Sequence, residues 1–220
     1  MGRVSEPTPQ DVDDLLNRIV LGEDPALEAA LAASTAASLP PIEVTPQSAH
    51  LLGLLVQIAG AQRVLEIGTL GGYSTISLAR AVGPEGSVVT LEYEPRHAEV
   101  AAANLARARV ADRVEIVVGA ALDTLPTLSG AFDFVFIDAD KENNSAYVQW
   151  AVDLGRPGTV IVVDNIVRNG RILNPAADDT QASAVRQMLE MMGRHPNLDT
   201  AAIQTVGGKG WDGFALAVVK

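Results

Sequence analysis

Five short runs, Arg63 to Ile67, Ser87 to Leu91, Arg113 to Val118, Phe132 to Ile137 and Thr159 to Val163, are apolar almost without alternation, and helical segments separate them. A strand with one wet face alternates apolar and polar residues, whereas a strand covered on both faces does not. The pattern therefore predicts a mostly parallel sheet with helices on both sides, wound in two directions. Helices are expected at Gly72 to Ala81, Pro95 to Ala108, Ala120 to Leu125 and Asn144 to Leu154, with a further one at Thr180 to Met192 carrying Val185, Met188, Leu189 and Met192 on one face. The tail, Thr200 to Val206 and Gly213 to Val219 joined through Gly207 to Asp212, has hairpin character. Two antiparallel strands added to five parallel ones make a doubly wound, mostly parallel seven-stranded sheet, an unusual ending for a dinucleotide-binding fold.

A chain of 220 residues fits one domain spanning 1–220. Residues 1–10 read as a flexible tail and 11–59 as N-terminal helical elements: Asp11 to Leu21, Asp24 to Ser38, a stop at Leu39-Pro40-Pro41, then a helix opened by Thr45-Pro46. No apolar run reaches the roughly 18 residues that a membrane-spanning helix needs. The net charge of −11 opposes binding to a phosphate backbone or an anionic membrane surface. With no cysteine, disulfides, thiolate catalysis and thiolate zinc sites are excluded, and a cytoplasmic location is expected.

In an open α/β sheet, ligands occupy the crevice beyond the carboxyl ends of the strands. The fourth run ends in Asp138-Ala139-Asp140-Lys141 and the fifth in Asp164-Asn165, so two strand tips can aim oxygen ligands at one point. The first run leads into Gly68-Thr69-Leu70-Gly71-Gly72-Tyr73-Ser74, a glycine-rich turn that lets a small ligand approach the backbone. Glu66, just before Gly68, is a poor neighbour for a pyrophosphate and a better one for a cationic ligand. Glu92 closes the second run, where an acidic side chain can take both hydroxyls of a ribose. These residues indicate an adenosine ligand and leave NAD and S-adenosylmethionine both open.

Together, Glu66 to Ser74, Phe136-Ile137-Asp138-Ala139-Asp140-Lys141, Asp164-Asn165 with Asn169-Gly170, and Gly213-Phe214-Ala215-Leu216-Ala217 resemble the metal- and S-adenosylmethionine-dependent O-methyltransferases that include the catechol and caffeoyl-coenzyme A enzymes. The likeness extends from about Leu39 to Lys220. It implies a class I methyltransferase fold, Rossmann-like, with S-adenosylmethionine as cofactor. By the resemblance Val44 and Ser74 contact the methionine part, Glu66, Gly68 and Asp138 border the cofactor, Glu92 holds the ribose and Ala120 borders the adenine. It also implies Asp138, Asp164 and Asn165 as ligands of a divalent cation, magnesium first with manganese or calcium as alternatives, and Lys141 as catalytic base. The implied acceptor is a catechol-like or hydroxycinnamoyl small molecule, and the implied assembly a homodimer.

The chain departs from that family where an aromatic often follows Lys-x-Asn and another follows Asp-Asn: here stand Asn144 and Arg168. Both positions flank the acceptor in the relatives, so acceptor identity stays open, and Arg168 suits either an anionic acceptor or an exposed loop. Asp140 is expected in a supporting role. Trp211 is expected near the acceptor or a neighbouring subunit, and His50, His97 and His195 have no ligand spacing. The competing functions are an NAD-dependent oxidoreductase and a non-catalytic cofactor-binding protein.

Overall fold

The computed structural model describes residues 6–220, in which seven strands form one sheet of order β3-β2-β1-β4-β5-β7-β6. The strands are β1 (Arg63–Ile67), β2 (Ser87–Glu92), β3 (Val114–Val118), β4 (Phe134–Ile137), β5 (Val160–Asp164), β6 (Leu198–Gly207) and β7 (Gly210–Val219). The first five pair in parallel, and β7 runs antiparallel to both β5 and β6. The helices are α1 (Pro9–Leu16), α2 (Pro25–Ala36), α3 (Pro46–Ile58), α4 (Tyr73–Ala81), α5 (Pro95–Arg107), α6 (Ala121–Thr124), α7 (Asn144–Asp153) and α8 (Thr180–Arg194). This is the doubly wound, mostly parallel architecture expected, with the extra N-terminal helices. Among the described residues no helix is long and apolar enough to cross a membrane.

Successive residues of the central strands go to opposite cores, which is why those strands read as continuous apolar runs. Leu65, Ile67, Val135, Ile137, Ile161 and Val163 face Tyr147 and Val148 of α7 and Met188 of α8. Val64, Phe134, Phe136 and Val162 face the other way, against Leu52 and Val56 of α3 and Ile76 and Leu78 of α4. Phe134 and Phe136 are buried at 0 and 1 % exposure, so each removes enough apolar surface to contribute about 2–3 kcal/mol. The strand ends are thereby fixed on a rigid platform.

The N-terminal boundaries differ from expectation because the caps act earlier. Thr8 Oγ1 accepts the Asp11 N–H (3.2 Å) while the Asp11 carboxylate accepts the Thr8 N–H (2.7 Å), so α1 begins at Pro9, inside the segment expected to be a tail. The part of that expectation on residues 1–5 lies outside the described residues. A π turn, Asn17–Leu21, extends α1 to Gly22. Asp24 caps α2 through the N–H groups of Ala26 and Leu27, both at 3.2 Å, and does not belong to it. At the other end the hairpin is longer than its sequence suggested: Gly207 pairs with Gly210, leaving only Gly208-Lys209 as the turn.

Candidate active site

The sheet order reverses between β1 and β4, and the chain's chemistry gathers at the carboxyl ends of the five parallel strands around this switch point. In sheet order the tips present Gly119-Ala120 after β3, Glu92 on β2, Gly68 after β1, Asp138 to Lys141 after β4 and Asp164-Asn165 after β5. Gly68, at φ 103°, packs so tightly that a Cβ would collide with the Asp138 carbonyl oxygen. Only glycine lets the two central tips close on one another while leaving the loop backbone open to a ligand.

On the β1 side, the Glu92 carboxylate is fixed by backbone donors. One oxygen accepts the N–H groups of Thr69 (3.1 Å) and Leu70 (2.7 Å); the other accepts that of Glu94 (3.0 Å) and lies 3.2 Å from His97 Nδ1. The oxygen that accepts from Thr69 and Leu70 is fully engaged, and the other keeps a lone-pair direction for a hydroxyl donor where His97 does not donate to it. His97, in the first turn of α5, was not singled out by spacing, since five residues separate it from Glu92 across a strand end.

Glu66 takes a different position from the open ligand contact its place in the motif suggests. It is fully buried and accepts from Ser74 Oγ (2.6 Å), Thr75 Oγ1 (2.5 Å) and Thr90 Oγ1 (2.6 Å). Glu66 therefore reaches the loop through Ser74, whose hydroxyl it orients. Burial pushes the Glu66 carboxyl up to about 7, against the three hydroxyl donors that favour its ionised form and with the Asp138 charge adding to the rise.

On the β4 side, Lys141 is 5 % exposed and its Nζ donates to Asp138 Oδ1 at 2.8 Å. It lies in a 3₁₀ turn, Lys141–Asn143, that folds the chain back over the strand end. Asp140 points away: its oxygens accept from Tyr147 Oη (2.6 Å) and Asn143 Nδ2 (2.5 Å), which makes it a support for the start of α7. Asn144 is buried with no partner for either amide atom among the described residues.

On the adjacent tip, Asp164 Oδ1 accepts the Asn165 N–H at 2.7 Å, and Asn165 is held at φ 59°. Burial and then the Asp138 charge hold the Asp164 carboxyl well above the ordinary carboxylate range, with Lys141 opposing them. Asp164 also lines a small apolar hollow with Val44, Ser48, Leu52, Phe136 and Phe214, so the structure brings Val44 to the same crevice. Among the described residues no three His, Cys, Asp or Glu side chains form a metal-holding group. The donors expected from the sequence, Asp138, Asp164 and Asn165, are two carboxylates and an amide, all hard oxygen ligands of the kind magnesium, manganese and calcium accept. The electrostatic strain between Asp138 and Asp164 fits a site that a divalent cation would relieve.

The loop after β5 is braced from the hairpin. Asp212 Oδ1 accepts the N–H groups of Val167 (2.9 Å) and Arg168 (3.1 Å), and Asn169 Oδ1 accepts the Trp211 N–H (3.3 Å). Trp211 Nε1 donates to Gln204 Oε1 at 2.8 Å, and its ring covers Gly170. Asp212 escaped sequence reading because its partners lie more than forty residues away.

A family model described as O-methyltransferase matches residues 20–217. A catechol O-methyltransferase of Mycobacterium tuberculosis (strain ATCC 25618 / H37Rv) is 64 % identical over 221 residues, covering 100 % of both chains. Another, of Niastella koreensis, is 43 % identical and covers 96 % of this chain and 97 % of its own. Among solved structures, the O-methyltransferase of Bacillus cereus in complex with SAH superposes with a TM-score of 0.94 at 47 % identity, over 96 % of this chain and 98 % of that one.

Proposed function

This chain belongs to the S-adenosylmethionine-dependent O-methyltransferase family, and on that premise we propose that it methylates one oxygen of a catechol-like or hydroxycinnamoyl acceptor with the aid of a divalent cation. The observation that carries the reading is the meeting of Lys141 and Asp138 on one strand tip with Asp164 on the next, across the switch point from the glycine loop. The names of the two relatives, both catechol O-methyltransferases, support the catechol part of the acceptor class.

Asp138, Asp164 and Asn165 would hold the cation, which when bound supplies positive charge that favours the ionised form of a phenolic hydroxyl. The cofactor supplies a methyl group on a positively charged sulfur. Glu92 binds the ribose hydroxyls with oxygens already aimed by Thr69, Leu70 and Glu94. Ser74, fixed by Glu66, offers its oxygen lone pairs to the methionine end beside Val44, and Ala120 and Gly68 leave room for the nucleoside. Lys141, once it has released its own proton, accepts the proton of the acceptor hydroxyl at Nζ. Val44, Leu52, Phe136 and Phe214 exclude water beside Asp164. As positive charge on sulfur is consumed in the transfer, alignment and desolvation are what the protein contributes most.

Transfer of a radiolabelled methyl group to catechol and to a hydroxycinnamoyl thioester, in protein dialysed against EDTA and then given magnesium, tests the proposal. Chelation is expected to lower the rate at least about a hundredfold, with magnesium restoring it. An undiminished rate in chelator rejects the metal, and no transfer to either acceptor rejects the acceptor class.

We also propose that the enzyme is a homodimer. Ile19 and Val20 are 64 and 61 % exposed on the N-terminal helical segment, and Val206 is 67 % exposed on the edge strand β6. Exposed apolar side chains grouped on such elements mark an interaction surface. Light scattering is expected to give twice the chain mass, and a monomer at micromolar concentration rejects it.

A further inference from the structure

Arg168 lies three residues beyond Asn165, in the loop that continues β5. Its backbone is left-handed at φ 54°, a conformation costly for an arginine, between Asn165 at 59° and Asn169 at 54°, both of a residue type that takes it more readily. The surroundings impose it: Asp212 holds the Val167 and Arg168 N–H groups, and the Trp211 ring lies 2.8 Å from where a Cβ on Gly170 would fall. The loop is thus built to place the Arg168 side chain.

That side chain is held by one neutral contact. Nη2 donates to Gln181 Oε1 (2.5 Å), in the first turn of α8, while Nε is buried without an acceptor. Arg80, Arg113, Arg156, Arg171, Arg186 and Arg194 each have a carboxylate partner. Arg168, like Arg18, Arg63, Arg96, Arg107 and Arg109, forms no such pair among the described residues, but of these it is the one with a side-chain nitrogen buried without a partner. Nη1, by contrast, is neither hydrogen-bonded nor fully buried, and a half-buried guanidinium with an uncompensated charge favours a carboxylate, which it can meet through Nη1 and the second hydrogen of Nη2.

We propose that Arg168 determines acceptor specificity by receiving an anionic substituent, so that the preferred acceptors are catechols bearing a carboxylate. This rests on the methyl-transfer reading above and names the acceptor within it. The acceptor is favoured over the cofactor as the source of that anion because Arg168 extends the β5 tip that carries Asp164 and Asn165. Gly68, Glu92 and Ala120, the cofactor-side residues, stand on β1, β2 and β3 across the switch point.

The test compares kcat/KM for 3,4-dihydroxybenzoate with that for catechol, at saturating S-adenosylmethionine and magnesium, in wild type, Arg168→Gln and Arg168→Lys. The ratio of the two values is expected to fall at least about tenfold in Arg168→Gln, mainly through KM for the carboxylated acceptor, and to recover in part in Arg168→Lys. A ratio within twofold of wild type in Arg168→Gln overturns the assignment. Should that variant fail to fold by thermal melting, inhibition of the wild-type enzyme by benzoate and by benzyl alcohol decides. Benzoate competing with catechol at least tenfold more strongly supports the proposal, and any smaller preference overturns it. Methyl transfer to neither acceptor in wild type overturns the catechol reading and this inference together; transfer to both with an insensitive ratio removes Arg168 alone.

Discussion

Replacing Lys141 with alanine is expected to lower kcat about a thousandfold, within the range measured for loss of a positioned general base, and to leave the dissociation constant for S-adenosylmethionine within about threefold. The separation follows from where Lys141 stands. Its Nζ is bonded to Asp138 on the β4 tip, whereas the loop and Glu92, which we propose hold the cofactor, stand on β1 and β2. Removing the ammonium also leaves Asp138 and Asp164 without the nearby positive charge that opposes their repulsion. Arginine at this position restores the charge but binds its proton too tightly to serve as a base, so Lys141→Arg is expected to stay as slow as the alanine variant. Single-turnover transfer of labelled methyl, read beside calorimetric titration with the cofactor, checks both halves. An alanine variant that keeps more than a tenth of the wild-type rate would remove Lys141 from the proton transfer.

The second large effect belongs to Glu66 and appears in stability. The folded protein holds this carboxyl near 7, above its ordinary value of 4.5, so the folded state binds the proton more tightly than the unfolded chain does. The resulting stabilisation is complete below about pH 4.5 and is lost as pH rises through 7. Between pH 5 and pH 8 the loss is expected to be about 2–3 kcal/mol in the cofactor-free protein. Glu66→Gln keeps a polar group among Ser74, Thr75 and Thr90 but cannot ionise. Urea unfolding of both proteins at the two pH values isolates the effect, because other groups cancel in the difference. If the wild-type and glutamine proteins lose stability in parallel, Glu66 does not titrate in this window.

The parallel strands were legible because burial on both faces leaves no polar position to confuse the period; β1 starts and ends at the residues expected, and β4 and β5 shift by one or two. The same regularity made the strand-tip residues legible, since a carboxylate directly after a buried strand has few places to go but the crevice. Family membership then separates the two adenosine ligands that Glu66 and Glu92 left open. Pairing between distant elements was hidden. Glu66 gains its hydroxyl donors from α4 and β2, His97 meets Glu92 across a turn, and Asp212 braces a loop that belongs to another part of the chain. Arg168 was ambiguous for the same reason: whether a loop arginine is bathed in water or withdrawn from it depends on Gln181 and the hairpin, neither of which lies near it in sequence.

The place of β7 in the sheet has a consequence for how the enzyme comes into being on the ribosome. The strand that bears Asp164 is flanked by β4 on one side and on the other by residues 210–219, with Phe214 opposite Asp164. During synthesis the strand that carries Asp164 therefore has one bare edge until the closing segment has emerged. The glycine loop and Glu92, by contrast, stand on β1 and β2, whose pairing partners all precede β5 in the chain, so their edges are covered before residues 210–219 are made.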